Sequence, residues 1–299
     1  MQERFKKIRL IINPAAGGSG FNKIIRKLSR IKSSVHSEIE TIISENPGDI
    51  TLFCRQFADE HHPVFVSGGD GSVHEAAIGL KGSEAPLAIL PTGSGNGLAR
   101  HLKIPVKLKK AVNVLVRKSK QIKADMPELN GQPFVNVGGI GFDGLVACTF
   151  NNAGKRGLIT YVQKIFTNYL GSGQFDYKIS FEDQHISGKA WLIALANSSE
   201  YGNGAKISPG SLVTDGLLDL VIVRKPGLLQ IPVLLYQVMS GRVNSDLIKR
   251  YKIKKCSIEL NEKIDYHLDG EYLGKIQNAS CTVIPSCLNL LVPLSARSV

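Results

Sequence analysis

Ser67-Gly68-Gly69-Asp70-Gly71-Ser72-Val73-His74-Glu75 is the stretch on which the fold turns. Before it, Pro63-Val64-Phe65-Val66 is short, β-branched and apolar, the mark of a buried strand. After it, Ala76-Ala77-Ile78-Gly79-Leu80 reads as helix. The glycines therefore occupy a strand-to-helix turn. There, backbone N–H groups approach a ligand closely and the helix start adds partial positive charge, which suits phosphate. A plainer reading stands beside this one. Ser72 and Glu75 have the S-x-x-E spacing of a capping box, and such a turn uses glycine for geometry alone. Geometry does not explain Asp70. A carboxylate repels phosphate unless a cation or a transferable proton lies between them, so Asp70 points to Mg²⁺–nucleotide chemistry.

Working outward, the same alternation repeats. Ile8-Arg9-Leu10-Ile11-Ile12 is a strand that ends in Asn13-Pro14-Ala15-Ala16-Gly17-Gly18-Ser19-Gly20. Ile24, Ile25, Leu28 and Ile31 then follow helical spacing. Ile39 to Ile43 is a second strand, ending near Thr41, and Ile50 to Glu60 a helix with Leu52, Phe53, Phe57 and Ala58 on one side. Pro86 to Leu90 is another buried strand, ending in Pro91-Thr92-Gly93-Ser94-Gly95-Asn96-Gly97, after which Leu98 to Leu102 restarts a helix. Alternating strands and helices predict a parallel sheet with right-handed crossovers. Its carboxyl ends would bring three glycine-rich loops to one crevice. None of the loops fits the P-loop pattern or a G-x-G-x-x-G with a ribose-binding acid downstream, which argues against a dehydrogenase.

After about residue 124 the texture changes. Short runs separated by turn residues appear at Phe134–Val137, Tyr177–Phe181, Ala190–Ala196, Leu217–Val223, Ser257–Leu260, Ile264–His267, Cys281–Ile284 and Leu288–Val292. This predicts an antiparallel β-sandwich domain. Two helical insertions interrupt it: an apolar stripe of Leu158, Val162, Ile165, Phe166, Tyr169 and Leu170, read as core, and Leu228 to Met239. The expected fold class is thus an N-terminal α/β domain over 1–124 and a C-terminal β domain over 125–290.

A chain of 299 residues exceeds what one core usually holds, consistent with two domains. With 43% hydrophobic and 21% charged residues it is an ordinary globular sequence. The net charge of +12 favours an anionic partner, a nucleotide or an anionic membrane surface. No helix-turn-helix, zinc or aromatic-rich basic module supports nucleic acid. The five cysteines (Cys54, Cys148, Cys256, Cys281, Cys287) form no C-x-x-C pair, which predicts reduced cytoplasmic thiols rather than zinc or disulfides. The N-terminus has no apolar signal core, and Leu228–Met239, broken by Gln230, Pro232 and Gln237, falls short of the roughly 20 residues a spanning helix needs.

Together these motifs resemble the diacylglycerol kinase catalytic-domain family of lipid kinases, which includes bacterial soluble lipid kinases and sphingosine kinases. The resemblance covers nearly the whole chain. It rests on Asn13-Pro14 with its trailing glycines, Gly68-Gly69-Asp70-Gly71, and Pro91-Thr92-Gly93-Ser94-Gly95-Asn96. Gly139-Ile140-Gly141-Phe142-Asp143, Asp215-Gly216-Leu217-Leu218-Asp219 and Asp269-Gly270-Glu271 complete it. Serine stands at 72 and 94 where many members have threonine. Gly97 stands where bacterial diacylglycerol kinases usually have aspartate, and His74-Glu75 and the 93–99 segment look more like the sphingosine-kinase branch. The resemblance implies an α/β domain related to phosphofructokinase and NAD kinase, joined by residues 291–299 from the last strand, and a β-sandwich.

The resemblance also implies roles. The reaction would be ATP-dependent transfer of the γ-phosphate to a lipid hydroxyl, of diacylglycerol or a sphingoid base. The alternatives are an NAD kinase-like phosphotransferase or a non-catalytic basic nucleotide-binding regulator. Asp70 would serve the Mg²⁺–ATP site or take the acceptor proton, and Glu271 would be the active-site glutamate. Asp-Gly between β-type runs is equally a hairpin signal, and both readings can hold. Asn13, Pro14, Gly17, Thr41, Gly68, Gly69, Gly71, Ser72, Glu75, Gly93, Ser94 and Asn96 would contact ATP. A structural Mg²⁺ would take the Asp215 carboxylate and the carbonyls of Leu212 and Leu217, with Asp125 reaching it through water. Asp143 faces the acceptor or stabilises a turn, and His74 and His101 read as helix-surface residues. The enzyme would be cytoplasmic, a dimer, and transiently at an anionic membrane. Two basic clusters would serve that contact: Lys107, Lys109 and Lys110, and Lys249, Arg250, Lys252, Lys254 and Lys255.

Overall fold

The computed structural model describes residues 5–16, 37–58, 61–151, 167–243, 245–296 and 299. The helix expected over 24–31, Gly17, and the Leu158–Phe166 part of the apolar stripe lie outside the described residues. The chain divides into two compact units, Met1–Ala124 with Ser286–Val299, and Asp125–Pro285.

In the first unit, β1 (Lys7–Ile12), β2 (Glu38–Ile43), β3 (Val64–Gly68) and β4 (Leu87–Pro91) pair in parallel in the order β2-β1-β3-β4. The last strand, β16 (Glu271–Pro293), returns beside β4 with Leu290 opposite Leu87. β3 and β4 are buried at every position, as the continuous apolar runs required, because helices cover both faces of a parallel sheet. β2 is the exposed edge. It carries Glu38 and Glu40, and Glu40 pairs with Arg9 and, at 3.4 Å, with Lys7. Charge on an edge strand discourages pairing with another chain. Helices α1 (Asp49–Gln56) and α2 (Asp70–Leu80) pack at Gly79, where a Cβ would come within 2.5 Å of Cys54 Cβ. Short α3 (Gly97–His101) and amphipathic α4 (Leu108–Arg117) complete the unit. His101 is buried at 4% exposure, not on the helix surface as read from the sequence. α3 is so short that its last turn is drawn into the core with Leu98 and Leu102.

The strand order has a physical consequence. From β1 the chain steps to β2 on one side and, after α1, to β3 on the other. The β1/β3 boundary is therefore a topological switch point, where adjacent connections diverge and leave a crevice at the strands' carboxyl ends. Asn13 and Gly68-Gly69-Asp70 stand at those two ends.

The second unit is antiparallel; β5 (Ser119–Leu129) leads into it, and β6 (Gln132–Pro133), β9 (Gln184–Ala190), β11 (Glu200–Gly202) and β12 (Ala205–Lys206) are its short or peripheral strands. β7 (Val137–Gly141), β10 (Leu192–Ala196), β13 (Leu218–Val223) and β14 (Ile248–Ile253) pair in succession. The long β15 (Lys255–Leu268) joins β8 (Phe175–Phe181) through its first half and β7 through its last residues, with register shifts between. A bulged strand that changes partners is how sandwich corners are made. β10 and β13 are buried throughout because both faces are covered. Ile193, Leu195, Leu220 and Ile222 enter one core, and Leu192, Ala194, Val221 and Val223 the other. β8 alternates buried and exposed, the pattern of a strand with one wet face. A helix not foreseen from the sequence, α5 (Phe142–Asn151), follows β7, and Phe142 stacks on Trp191 at 3.9 Å. The expected helix after residue 228 is present as a 3₁₀ turn, Leu228–Gln230, and α6, Ile231–Ser240. Of the other apolar stripe, Tyr169 is core, whereas Leu170 is 79% exposed.

Candidate active site

In the first unit, Asp70 itself opens α2, with extended Gly69 as its N-cap. The helix therefore starts earlier than a capping box at Ser72 requires, and Ser72 and Glu75 have other partners. Asn13 Nδ2 donates to Ser72 Oγ at 2.9 Å, tying the loop after β1 to the loop after β3. Glu75 Oε2 accepts from the N–H of Gly48 at 3.1 Å, the left-handed residue that precedes α1. Burial pushes the Cys54 thiol up to about 12, with the Glu75 carboxylate adding to it, so Cys54 is no nucleophile.

Asp70 reaches the third loop. Its Oδ2 accepts from Asn96 N–H at 2.9 Å and its Oδ1 from Gly97 N–H at 2.7 Å. Asn96 stands in the left-handed region, φ 54°, and its side chain closes the loop on both backbone groups of Gly93, at 3.1 and 2.7 Å. The loops after β3 and β4 also approach most closely at two glycines, since a Cβ on Gly93 would lie 2.4 Å from Gly69 Cα. A carboxylate has about four acceptor sites, more than these two N–H bonds use. Asn13, Gly68, Gly69, Asp70, Ser72, Gly93 and Asn96 thus form one connected cluster. Pro14 follows directly on Asn13, Gly71 has open space at its Cα, and Ser94 is exposed on the third loop. Thr41 is exposed within β2 opposite Leu10, two residues short of the strand end.

In the second unit, Asp269 and Gly270 join β15 to β16 with φ of 50° and 87°. Leu268 faces Glu271, which makes this a two-residue hairpin of the kind Asp-Gly favours. Glu271 is exposed directly after the turn. Asp269, which the sequence offered only as a turn residue, accepts from the N–H groups of Val135, Asn136 and Val137 at 2.9, 2.8 and 3.1 Å. Gly270 N–H donates to His267 Nδ1 at 3.1 Å, which places the ring proton on Nε2. That nitrogen lies 2.8 Å from Asp143 Oδ2, both side chains being buried. Asp143 therefore serves the interior, not an acceptor. Gly139 makes room for the contact, because a Cβ there would sit 2.3 Å from Asp143 Oδ2 and 2.4 Å from His267 Nε2.

The expected structural Mg²⁺ ligands give a different picture. Asp215 Oδ2 is held by Lys252 Nζ at 2.7 Å, and its Oδ1 accepts from Leu217 N–H at 3.1 Å. Asp125, 2% exposed, accepts from Gly216 N–H at 2.7 Å. A divalent ion on Asp215 and the carbonyls of Leu212 and Leu217 would face the lysine ammonium on the same carboxylate. Lys252 thus stands on the carboxylate oxygen that such an ion would take. Among the described residues no group of three His, Cys, Asp or Glu side chains is arranged for a metal.

Residues 7–128 match the diacylglycerol kinase catalytic domain, and residues 136–292 match the YegS C-terminal NAD kinase beta sandwich-like domain. The chain is 27% identical over 281 residues to a diacylglycerol kinase of Bacillus subtilis (strain 168), covering 91% of each. It is 24% identical over 279 residues to one of Staphylococcus saprophyticus, covering 91% of this chain and 90% of that one. The fold is shared with the crystal structure of a diacylglycerol kinase from Bacillus anthracis str. Sterne, at 22% identity and a TM-score of 0.76. A second structure from the same organism reaches 0.82 at 23%. Both comparisons cover 99% of this chain and 100% of the other.

Proposed function

The chain belongs to the lipid-kinase family that joins a diacylglycerol kinase catalytic domain to a YegS-type C-terminal domain, and we propose that it transfers the γ-phosphate of ATP to a hydroxyl of a lipid such as diacylglycerol or a sphingoid base. The observation that supports this reading best is the closed network Asn13–Ser72 and Asp70–Asn96/Gly97 at the switch point of the parallel sheet. It presents glycine backbone at the strands' carboxyl ends with one carboxylate among the loops. That arrangement suits a nucleotide phosphate accompanied by Mg²⁺, the metal entering with ATP as substrate.

In this reading Asn13, Pro14, Gly68, Gly69, Gly71, Ser72, Gly93, Ser94 and Asn96 line the phosphate side. Glu75 acts from a distance by fixing α1 against α2. Asp70 orients the Mg²⁺–ATP complex. Glu271 takes the proton of the acceptor hydroxyl as its oxygen forms a bond to the γ-phosphorus and the bond to the ADP oxygen breaks. The His267–Asp143 contact and the Asp269 anchor hold the turn that presents Glu271. In this reading the enzyme works in the cytoplasm and meets its lipid at the membrane surface; no helix among the described residues is long and apolar enough to cross a bilayer. The test is ATP-dependent phosphorylation in a lipid-extract library, read by mass spectrometry of the products. Absence of any phosphorylated lipid, with ATP bound, overturns the reading.

A further inference from the structure

The segment from Gly227 to Gly241 contains no charged residue, yet it lies on the surface. Leu228 is 64% exposed, Leu229 93%, Val233 56%, Tyr236 67% and Met239 43%. Along α6, Val233 and Tyr236 share one outward face with Pro232 exposed beside them, and Leu229 stands exposed on the 3₁₀ turn just before. The opposite face is also apolar. Ile231 is buried in the core beside Trp191, and Leu235 packs partly against it. An exposed helical face this apolar marks a site of contact rather than a bare water surface.

The helix is held firmly at both ends. Tyr169 Oη donates to the Pro226 carbonyl at 2.5 Å, and Gly227 N–H donates to Gln230 Oε1 at 2.8 Å. At the far end Gly241 is left-handed, and Arg242 N–H returns to the Gln237 carbonyl at 3.1 Å. The exposed side chains that flank its two ends are cationic, with acidic Asp246 nearby. Exposed Arg224 precedes the segment and exposed Arg242 follows it. The stem of Lys206 lies against Gly241. On β14, Arg250 points to the same sheet face as Ile248, which packs against the core under α6.

We propose that α6 with its leading turn is the element by which the protein docks on a bilayer. In this docking Leu229, Val233 and Tyr236 enter the acyl boundary, and Arg242, Arg224 and Arg250 meet anionic headgroups. The inference rests on the lipid-kinase reading for its purpose, and on exposure and charge for its location. An uncharged helical face with a cationic rim is the form that lies in the membrane interface. A protein partner with an acidic groove would match the rim, but it would not require a lipid acceptor nearby.

The test uses the full-length protein without ATP. Vesicles of phosphatidylcholine alone, and with added phosphatidylglycerol, are sedimented with parent, Leu229→Ser/Val233→Ser/Tyr236→Ser, and Arg242→Gln. The three substituted side chains are more than half exposed, so the fold is expected to persist, and circular dichroism checks it. The parent should partition onto anionic vesicles, and the triple variant should lose roughly tenfold or more. Arg242→Gln should bind less to anionic vesicles and unchanged to neutral ones. Equal partitioning of parent and triple variant overturns the proposal. So does a parent that ignores vesicles while self-associating through this face, seen as a dimer that the triple variant dissolves. Phosphorylation of a short-chain, water-soluble acceptor is measured in parallel and should be the same in all variants. Vesicle binding without any phosphoryl transfer removes the kinase reading and leaves the docking surface standing.

Discussion

His267 Nε2 lies 2.8 Å from Asp143 Oδ2, with both side chains buried directly over Gly139. The contact joins α5 to β15 one hairpin away from Glu271. Its cost when broken is that of stranding a buried polar group, about 1–3 kcal/mol. Asp143→Ala is expected to lose that much stability in denaturant unfolding. Asp143→Asn, which keeps an acceptor of the same shape, should recover most of it. Gly139→Ala should be at least as damaging as Asp143→Ala, because its methyl overlaps both partners. Unchanged midpoints for both alanine variants would show the contact to be idle.

Asp70 has a structural and a chemical part that substitution can separate. Asp70→Asn keeps an acceptor for one of the two N–H groups of Asn96 and Gly97 but removes the charge. Its stability should fall by no more than about 1–2 kcal/mol. Its phosphoryl transfer should fall by a factor of roughly 100 or more, the scale of losing a positioned charge at a transition state. Near-normal turnover in the folded variant would remove Asp70 from the chemistry.

Which parts were legible follows from the range of the interactions. The β3 run Val64–Val66 and the glycines after it are local signals, so the strand, the turn and the parallel sheet were readable. The Asp-Gly hairpin before Glu271 was readable for the same reason. The capping-box alternative fails although Ser72 and Glu75 have the right spacing, because their partners, Asn13 and Gly48, lie in other elements. His267 gave no signal, since its partner Asp143 sits on a helix that follows a glycine-rich strand with little helical character. Lys252 sits in a run of basic residues that reads as solvated surface, and only the β13–β14 register, Asp219 opposite Lys252, brings it to the Asp215 turn.

Gly93 tests whether the close approach of the two loops matters for nucleotide. A Cβ there meets Gly69 Cα at 2.4 Å, whereas one on Gly71 meets nothing. Gly93→Ala should therefore weaken ATP binding by about tenfold or more, and Gly71→Ala far less, in calorimetric titration. Equal effects at the two positions would mean that the spacing of the loops is irrelevant to ATP.

The Asp215–Lys252 pair predicts how the second unit responds to metal and to pH. The pair is partly exposed, so it contributes under about 1 kcal/mol, mainly by fixing the 215–217 turn against β14. The lysine pKa is raised, first by its hydrogen bond to Asp215. A raised value means the contribution is complete below the ordinary lysine value of 10.5 and is lost as pH rises through the folded one. Stability should therefore show no step from this pair near neutrality. With the ammonium on the carboxylate, no resident Mg²⁺ is needed, and EDTA should leave the thermal midpoint of the parent unchanged. Lys252→Met removes the ammonium from the Asp215 carboxylate, an oxygen donor of the kind a hard cation takes. In that variant added Mg²⁺ should raise the midpoint, and EDTA should reverse the gain. A parent whose midpoint falls on chelation would show instead that the lysine is displaced by a metal, and that the turn is a cation site after all.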